Sequence, residues 1–185
     1  MLGLKPIALG MRVLGCAVTI FETSGERGSA APEEMNLAAI IEAIQPGDVA
    51  VIANDGNRIS SGGGVFGFAL KNRGAAGAVV DGGVRDIEQI QEHALPVFAK
   101  HIVPLTGKGR IKVHSINHPI TADGVFVRPG DIIVGDANGV VCIPQDFAED
   151  LLALAEKQDS SDNQTIELMR QGLSFREAQA RSGVK

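Results

Sequence analysis

Two short segments hold the groups best suited to chemistry. SSGGGVFG (residues 60–67) places three glycines ahead of a helix-forming run, and DGGVRD (81–86) ends in an adjacent arginine and aspartate. Small residues leave backbone N–H groups uncovered, and a helix starting there adds its positive end, so this loop can hold a carboxylate or phosphate. Arg85 offers a rigid fork that fits a carboxylate. Asp86 offers an oxygen to a hard divalent cation, Mg2+ or a similar ion such as Mn2+, with waters and substrate oxygens completing the shell. Taken alone, Arg85–Asp86 reads as an ion pair at a helix start and the glycine run as a flexible turn. Their succession, with a strand and a Gly-Gly turn between them, points to a site. Gly62, Gly64 and Gly67 also fit the dinucleotide spacing G-x-G-x-x-G, but that fingerprint follows its strand directly, and here residues 54–61 intervene.

The elements that must position these groups can be read from apolar spacing. Residues 12–21 are strand material, followed by a Gly/Ser/Glu-rich loop at 22–32. From Glu33 onward, Leu37, Ile40, Ile41 and Ile44 recur at helical spacing. Pro46–Gly47 ends that helix, residues 48–53 form an apolar strand, and Asn54-Asp55-Gly56 supplies a turn. A helix over FALKNRG ends at Gly74, residues 75–81 form a buried strand, Gly82–Gly83 turn the chain, and a short helix begins near Asp86. Beyond it, residues 97–100, 110–116, 120–127, 131–134 and 139–143 are closely spaced strand segments. Asp146 with Glu149, and Ser174 with Glu177, have capping-box spacing. One domain over 1–160 and a peripheral helical tail over 161–185, packed at the periphery or against another subunit, are expected. PGDVAVIANDG (46–56) echoes PGDIIVGDANG (129–139), which fits a compact α/β/β/α sandwich better than a doubly wound sheet; convergence on common turn chemistry is the alternative.

Composition narrows the function. The 185 residues suit one substantial core. Seventeen Lys plus Arg against 22 Asp plus Glu gives a formal charge of −5, which is no nucleic-acid footprint. Phe is the sole aromatic type, so base-stacking platforms are not expected. Cys16 and Cys142 provide neither a disulfide framework nor a four-cysteine zinc site, and their apolar surroundings predict buried free thiols. Arg12 interrupts the apolar amino-terminal run, leaving nothing long enough to span a bilayer, and a cytoplasmic protein without membrane partners is expected.

The segments GGVFGFALKNRGAAGAVVDGGVRD (63–86) and GVFVRPGDIIVGDANGVVCIPQDFAEDLLALAE (124–156) resemble the RraA-like family, which includes 4-hydroxy-4-methyl-2-oxoglutarate aldolase/oxaloacetate decarboxylase and a regulator of ribonuclease activity. The resemblance covers most of the chain from Arg12 to about Ala155. It implies a compact α/β/β/α swivelling domain that assembles as homotrimers or hexamers, with substrate in a cleft between subunits. It also implies substrate contacts from Gly63, Gly64, Val65 and Phe66, an arginine at Arg85 that holds a 2-oxo acid, and a metal-proximal aspartate at Asp86. The implied chemistry is cleavage beside a pyruvate-like unit with stabilisation of the enolate. No Schiff base is needed, so Lys71 and Lys100 are not candidates.

Two departures bear on function. Active aldolases carry Asp or Glu where this chain has Gly64, and glycine cannot relay a proton. Asp55, Asp81 and His118 are the candidates to compensate. Family members also carry a helix and loop before the strand that starts near Arg12, which are missing here. Three readings remain: a divalent-metal-dependent lyase on a small 2-oxo acid, a non-catalytic regulator that binds an RNA-processing enzyme without direct nucleic-acid contact, and a different small-molecule enzyme on this scaffold. Decarboxylation needs no base for a hydroxyl proton, so Gly64 weakens the aldolase reaction more than the decarboxylase one.

Overall fold

The computed structural model describes residues 1–183, which divide into a unit ending at Gln145 and a helical unit beginning at Asp146. The first unit contains strands β1 (Lys5–Pro6), β2 (Val13–Ser24), β3 (Val49–Ala53), β4 (Ser60–Gly62), β5 (Gly77–Val84), β6 (Val97–Ile102), β7 (Ile111–Ile116), β8 (Ile120–Ala122), β9 (Val125–Val127), β10 (Ile132–Asp136) and β11 (Gly139–Ile143). Its helices are α1 (Leu37–Ala43), α2 (Gly64–Asn72) and α3 (Ile87–Glu92). The second unit holds α4 (Ala148–Arg170) and α5 (Phe175–Ser182).

Nine strands form one sheet in the order β1-β6-β5-β3-β2-β10-β11, with β4 beside the end of β5 and β7 beside β2. The central neighbours β2, β3, β5 and β6 run parallel. The flanking pairs β1–β6, β2–β7, β2–β10 and β10–β11 are antiparallel. Met1 and Val140 exchange backbone hydrogen bonds at 2.9 and 3.4 Å, which brings the two ends of the sheet together in a nearly closed, barrel-like curl.

The parallel strands carry apolar side chains on both faces because both faces are covered. Ala50, Ile52, Ala78 and Val80 pack with Ile40, Leu70 and Ile90 of the helices. Val49, Val51 and Val79 pack with Ile120, Val127, Ile133 and Val140 of the later strands. Helices, parallel strands and antiparallel strands thus succeed one another as layers, in keeping with the expected mixed α/β class.

Several local expectations are corrected. Gly82 and Gly83 do not turn the chain but continue β5, across a register shift that follows Val80. Glycine is needed there for close approach, since a methyl at Gly83 would lie 2.6 Å from Val103 Cγ2 and 2.9 Å from the Ile59 carbonyl. The helix expected from Glu33 is a short 3-10 turn (Pro32–Met35) followed by α1, the two broken at Asn36, whose φ is 44°. Asp146 and Glu149 form no capping box, because residues 145–147 wind as a 3-10 turn and α4 starts one residue after Phe147. The Ser174–Glu177 box is present at the start of α5. The helical unit begins ahead of the 161 boundary expected from composition, since residues 148–170 form one uninterrupted helix. Cys16 is exposed rather than buried; Cys142 is half-buried, and burial beside Asp131 pushes its thiol up to about 11.

The internal echo is an echo of turn chemistry. Asp48 and Asp131 each accept the backbone N–H three residues earlier, from Gln45 and Arg128, both at 2.8 Å. The strands that follow differ: β3 is buried throughout and lies in the parallel region, whereas β10 alternates and pairs antiparallel.

Candidate functional site

The two segments singled out in the sequence meet at the carboxyl end of β5, where ligands of open α/β sheets commonly bind. β5 ends at Val84, so Arg85 and Asp86 leave the sheet immediately. β4 pairs with the last residues of β5 and delivers Gly63 and α2 to the same place. The Asp86 carboxylate oxygen Oδ2 accepts the Gly64 N–H at 3.1 Å and lies 3.3 Å from Arg85 Nε. Arg85 also donates from Nη1 to Ser60 Oγ at 3.3 Å. Arg85 is therefore fixed from two sides while retaining further N–H groups for a ligand, and its side chain is 31% exposed.

Both glycines at the start of α2 are demanded by this arrangement. A methyl at Gly63 would run into Asp86 Oδ2 and come within 2.9 Å of Arg85 Cγ. A side chain at Gly64 would overlap the amide end of Gln89. The anion at the start of α2 is therefore partly internal: the Asp86 carboxylate takes the first amide. Val65 and Phe66 supply the next N–H groups, which have no partner within the helix.

Beside this pair lies a cavity of about 530 Å3. Gly62, Gly63, Val65, Phe66, Arg85 and Asp86 line it on one side. Glu33 and Lys108, which sequence reasoning missed, line it as well. Spacing alone gave no signal for either, because Glu33 arrives from the 3-10 turn and Lys108 from a loop, both distant in sequence. The possible compensating residues lie elsewhere. Asp55 and Asp81 line a different cavity, and exposed His118 lines neither, with its backbone carbonyl accepting the Thr19 hydroxyl. Among the described residues, no group of three or more His, Cys, Asp or Glu side chains is placed to hold a metal. The donor set does not fit a metal held by protein alone. It does fit a hydrated Mg2+ held through one Asp86 oxygen and substrate oxygens, because Oδ2 is engaged and the carboxylate remains 39% exposed.

On the other side of β4 is a buried polar group that the sequence did not announce. Glu22, 1% exposed on β2, accepts hydrogen bonds at Oε1 from Ser61 Oγ and, at 2.8 Å, from Asn54 Nδ2. Burial pushes its carboxyl up to about 7, although the Ser61 and Asn54 hydrogen bonds partly oppose that rise. Ser60 and Ser61 thus pin β4 from opposite faces, one to Arg85 and the other to Glu22.

Residues 1–142 match the RraA-like family (aldolase/RraA), and the chain belongs to that family. A protein of Halalkalibacterium halodurans, provisionally named a 4-hydroxy-4-methyl-2-oxoglutarate aldolase, is 38% identical over 161 residues, covering 86% of this chain and 72% of the relative. An uncharacterised protein of Methanocaldococcus jannaschii is 32% identical over 177 residues, covering 95% of this chain and 82% of the relative. The crystal structure of Streptomyces coelicolor RraAS2, described as an unusual member of the RNase ES inhibitor RraA family, superimposes with a TM-score of 0.79 at 28% identity, covering 91% of this chain and 83% of that one.

The raised Glu22 carboxyl sets a pH dependence of stability. Between about pH 4.5 and pH 7 the unfolded chain gives up this proton while the folded chain keeps it, so stability falls as pH rises through that window and levels off above it. The penalty above pH 7 is on the order of 3 kcal/mol at most. Glu22→Gln keeps the shape and removes the titration, so its unfolding free energy, measured by urea denaturation, gains on that of the parent as pH is raised from 5 to 8. A constant difference between the two proteins over that range contradicts the assignment.

Proposed function

We propose that this chain is a divalent-metal-dependent lyase acting on a small 2-oxo acid, and that decarboxylation of a β-keto acid of the oxaloacetate type is the reaction its residues suit best. The observation that carries the reading is the Arg85–Asp86 pair held against the glycine loop at the edge of a cavity of about 530 Å3. The aldolase name of the Halalkalibacterium relative supports carbon–carbon bond cleavage in general. Gly64 offers no acid, and Gln89 leaves no room for a side chain there, which favours decarboxylation over aldol cleavage.

In this mechanism Arg85 pairs with the substrate carboxylate next to the keto group through the N–H groups not engaged by Asp86 and Ser60. The Val65 and Phe66 N–H groups offer a second anchor. Lys108 at the cavity wall can face the distal carboxylate until it leaves as CO2. As the bond from C3 to that carboxylate breaks, its electron pair moves into the C2–C3 bond and the keto π pair onto the C2 oxygen, giving pyruvate enolate. The positive charge of Arg85 favours that developing anion. Solvent then protonates C3. A bound Mg2+, with Asp86 as its protein ligand, would add electrostatic stabilisation of the keto oxygen. Substrate and metal approach from the exposed side of the pair, and assembly as a homotrimer or hexamer would let a neighbouring subunit close the cleft.

A second reading, a regulator that binds an RNA-processing enzyme, draws on Gly64 and on the family description of RraAS2. Calorimetric titration with oxalate, an enolate mimic, separates the two. The lyase reading predicts that Mg2+ and oxalate each strengthen binding of the other, and that Asp86→Ala removes this mutual dependence. Arg85→Ala should lower oxaloacetate turnover about 100-fold or more. Absence of oxalate binding with and without Mg2+ would favour the regulator, and unchanged turnover in Arg85→Ala would reject the assigned cleft.

A further inference from the structure

The cavity beside Arg85 is larger than oxaloacetate requires. At about 530 Å3 it has the size of sites that take a drug-sized ligand, and a small diacid with one hydrated metal ion leaves much of it unfilled. Its lining is of two kinds. Arg85, Asp86 and Lys108 supply charges for the acid and its metal. The helices supply apolar groups: Leu37, Ala38 and Ile41 from α1, and Val65 and Ala69 from α2. Residues three and four apart share one side of a helix, so each helix turns a single apolar stripe towards the cavity.

The stripe on α2 runs away from the anion site. Val65 lies in the first turn, next to the Gly64 N–H that Asp86 accepts, and Ala69 lies one turn further along. One turn of helix advances the wall by about 6 Å, the reach of an alkyl chain of about four carbons. Leu37 and Ile41 pack against the core and are half-buried, whereas Val65 is 84% exposed, so apolar surface remains free on both helices. The small side chains of Ala38 and Ala69 leave room for a ligand between the stripes. The charges limit what that ligand can carry. Arg85 and Lys108 match the two carboxylates of an oxaloacetate skeleton, and the metal opposes Asp86. Glu33, exposed at the same wall, adds a negative charge that disfavours a third carboxylate on the substrate.

We propose that the substrate is an oxaloacetate carrying an uncharged, apolar group of about four carbons on C3, and that Leu37, Ile41 and Val65 hold that group. This inference rests on the lyase reading and names the substituent which that reading leaves open. Arg85 and Lys108 take the two carboxylates, and the C3 substituent lies along α2 from Val65 towards Ala69. The bond that breaks is the one from C3 to the departing carboxylate. Its electron pair enters the C2–C3 bond, the keto π pair moves to the C2 oxygen, and solvent protonates C3. The products are CO2 and a 2-oxo acid longer than pyruvate by the substituent.

The test is calorimetric titration of the full chain, in saturating Mg2+, with oxamate and with its N-ethyl, N-butyl and N-carboxypropyl derivatives. Oxamate copies the planar oxygens of the enolate, and its amide nitrogen stands where C3 would be, so the N-substituent takes the place of the tail. The expected result is a gain of about two- to threefold per methylene, which makes N-butyloxamate about twentyfold tighter than oxamate. The carboxypropyl derivative, similar in length but charged at its end, should bind no tighter than oxamate. Ala38→Asn puts a polar amide on the exposed part of the wall, and Ile41→Ala removes apolar surface. Each variant, checked for folding by thermal melting, should reduce the affinity ratio of N-butyloxamate to oxamate by about threefold or more. Failure of oxamate and every derivative to bind, with or without Mg2+, overturns the lyase reading and this inference with it. Binding of oxamate with no gain from the butyl group, an equal gain from the charged tail, or a gain undiminished in both variants overturns this inference alone and leaves the apolar wall to a neighbouring copy of the chain.

Discussion

The candidate site depends on one carboxylate. Asp86 closes the start of α2 through the Gly64 N–H and holds Arg85 through Nε, so the loop, helix and arginine are fixed relative to one another by a single side chain. That contact is possible because Gly63 has no side chain to stand between them. Asp86 itself adopts a left-handed conformation, with φ 57° and ψ 47°, an uncommon state for a residue with a side chain and one that aspartate tolerates better than most. A carboxylate held this way satisfies an orphan helix amide, orients a guanidinium, and still presents exposed surface to a ligand.

The rest of the fold brings that contact to the edge of a rigid sheet. Parallel strands buried on both faces end together, and the chain leaves β3 and β5 directly into polar residues. Two cavities lie at that edge, one lined by Gly62 and Arg85 and the other by Asn54 and Asp81. Ser60 and Ser61 alternate across this short strand, so one hydroxyl accepts from Arg85 and the next donates to Glu22. The electrostatic character of the two differs: arginine and unpaired helix amides mark one, and the Asp81–Lys100–Asp123 triad marks the other.

Much of this was legible from residue pattern. The apolar runs at 48–53 and 75–81 located two central strands, and the DGGVRD and GGVFG segments, singled out by glycine placement and charge, are brought together by the fold. Gly82–Gly83 misled, since a pair of glycines signals a turn by itself but here permits strands and side chains to approach β5 closely. Asp55 and Asp81, candidates for the missing acid, line a different cavity from the one beside Arg85. Glu22 lay in what read as a loop; only extension of β2 to Ser24 buries it, and that extension is set by pairing with β7. Glu33 reaches the site from the 3-10 turn and Lys108 from a loop, so their proximity is a property of tertiary structure.

The central claim is that Arg85 and Asp86 bind the two halves of one ligand assembly, the anion and its metal. Diffraction from crystals soaked with Mn2+ and oxalate, with anomalous differences recorded, tests it directly. The account predicts an anomalous peak about 2.0–2.3 Å from an Asp86 carboxylate oxygen, shared with oxalate oxygens, and an oxalate carboxylate against the Arg85 guanidinium. A manganese peak remote from Asp86, or ordered oxalate that makes no contact with Arg85, would contradict it.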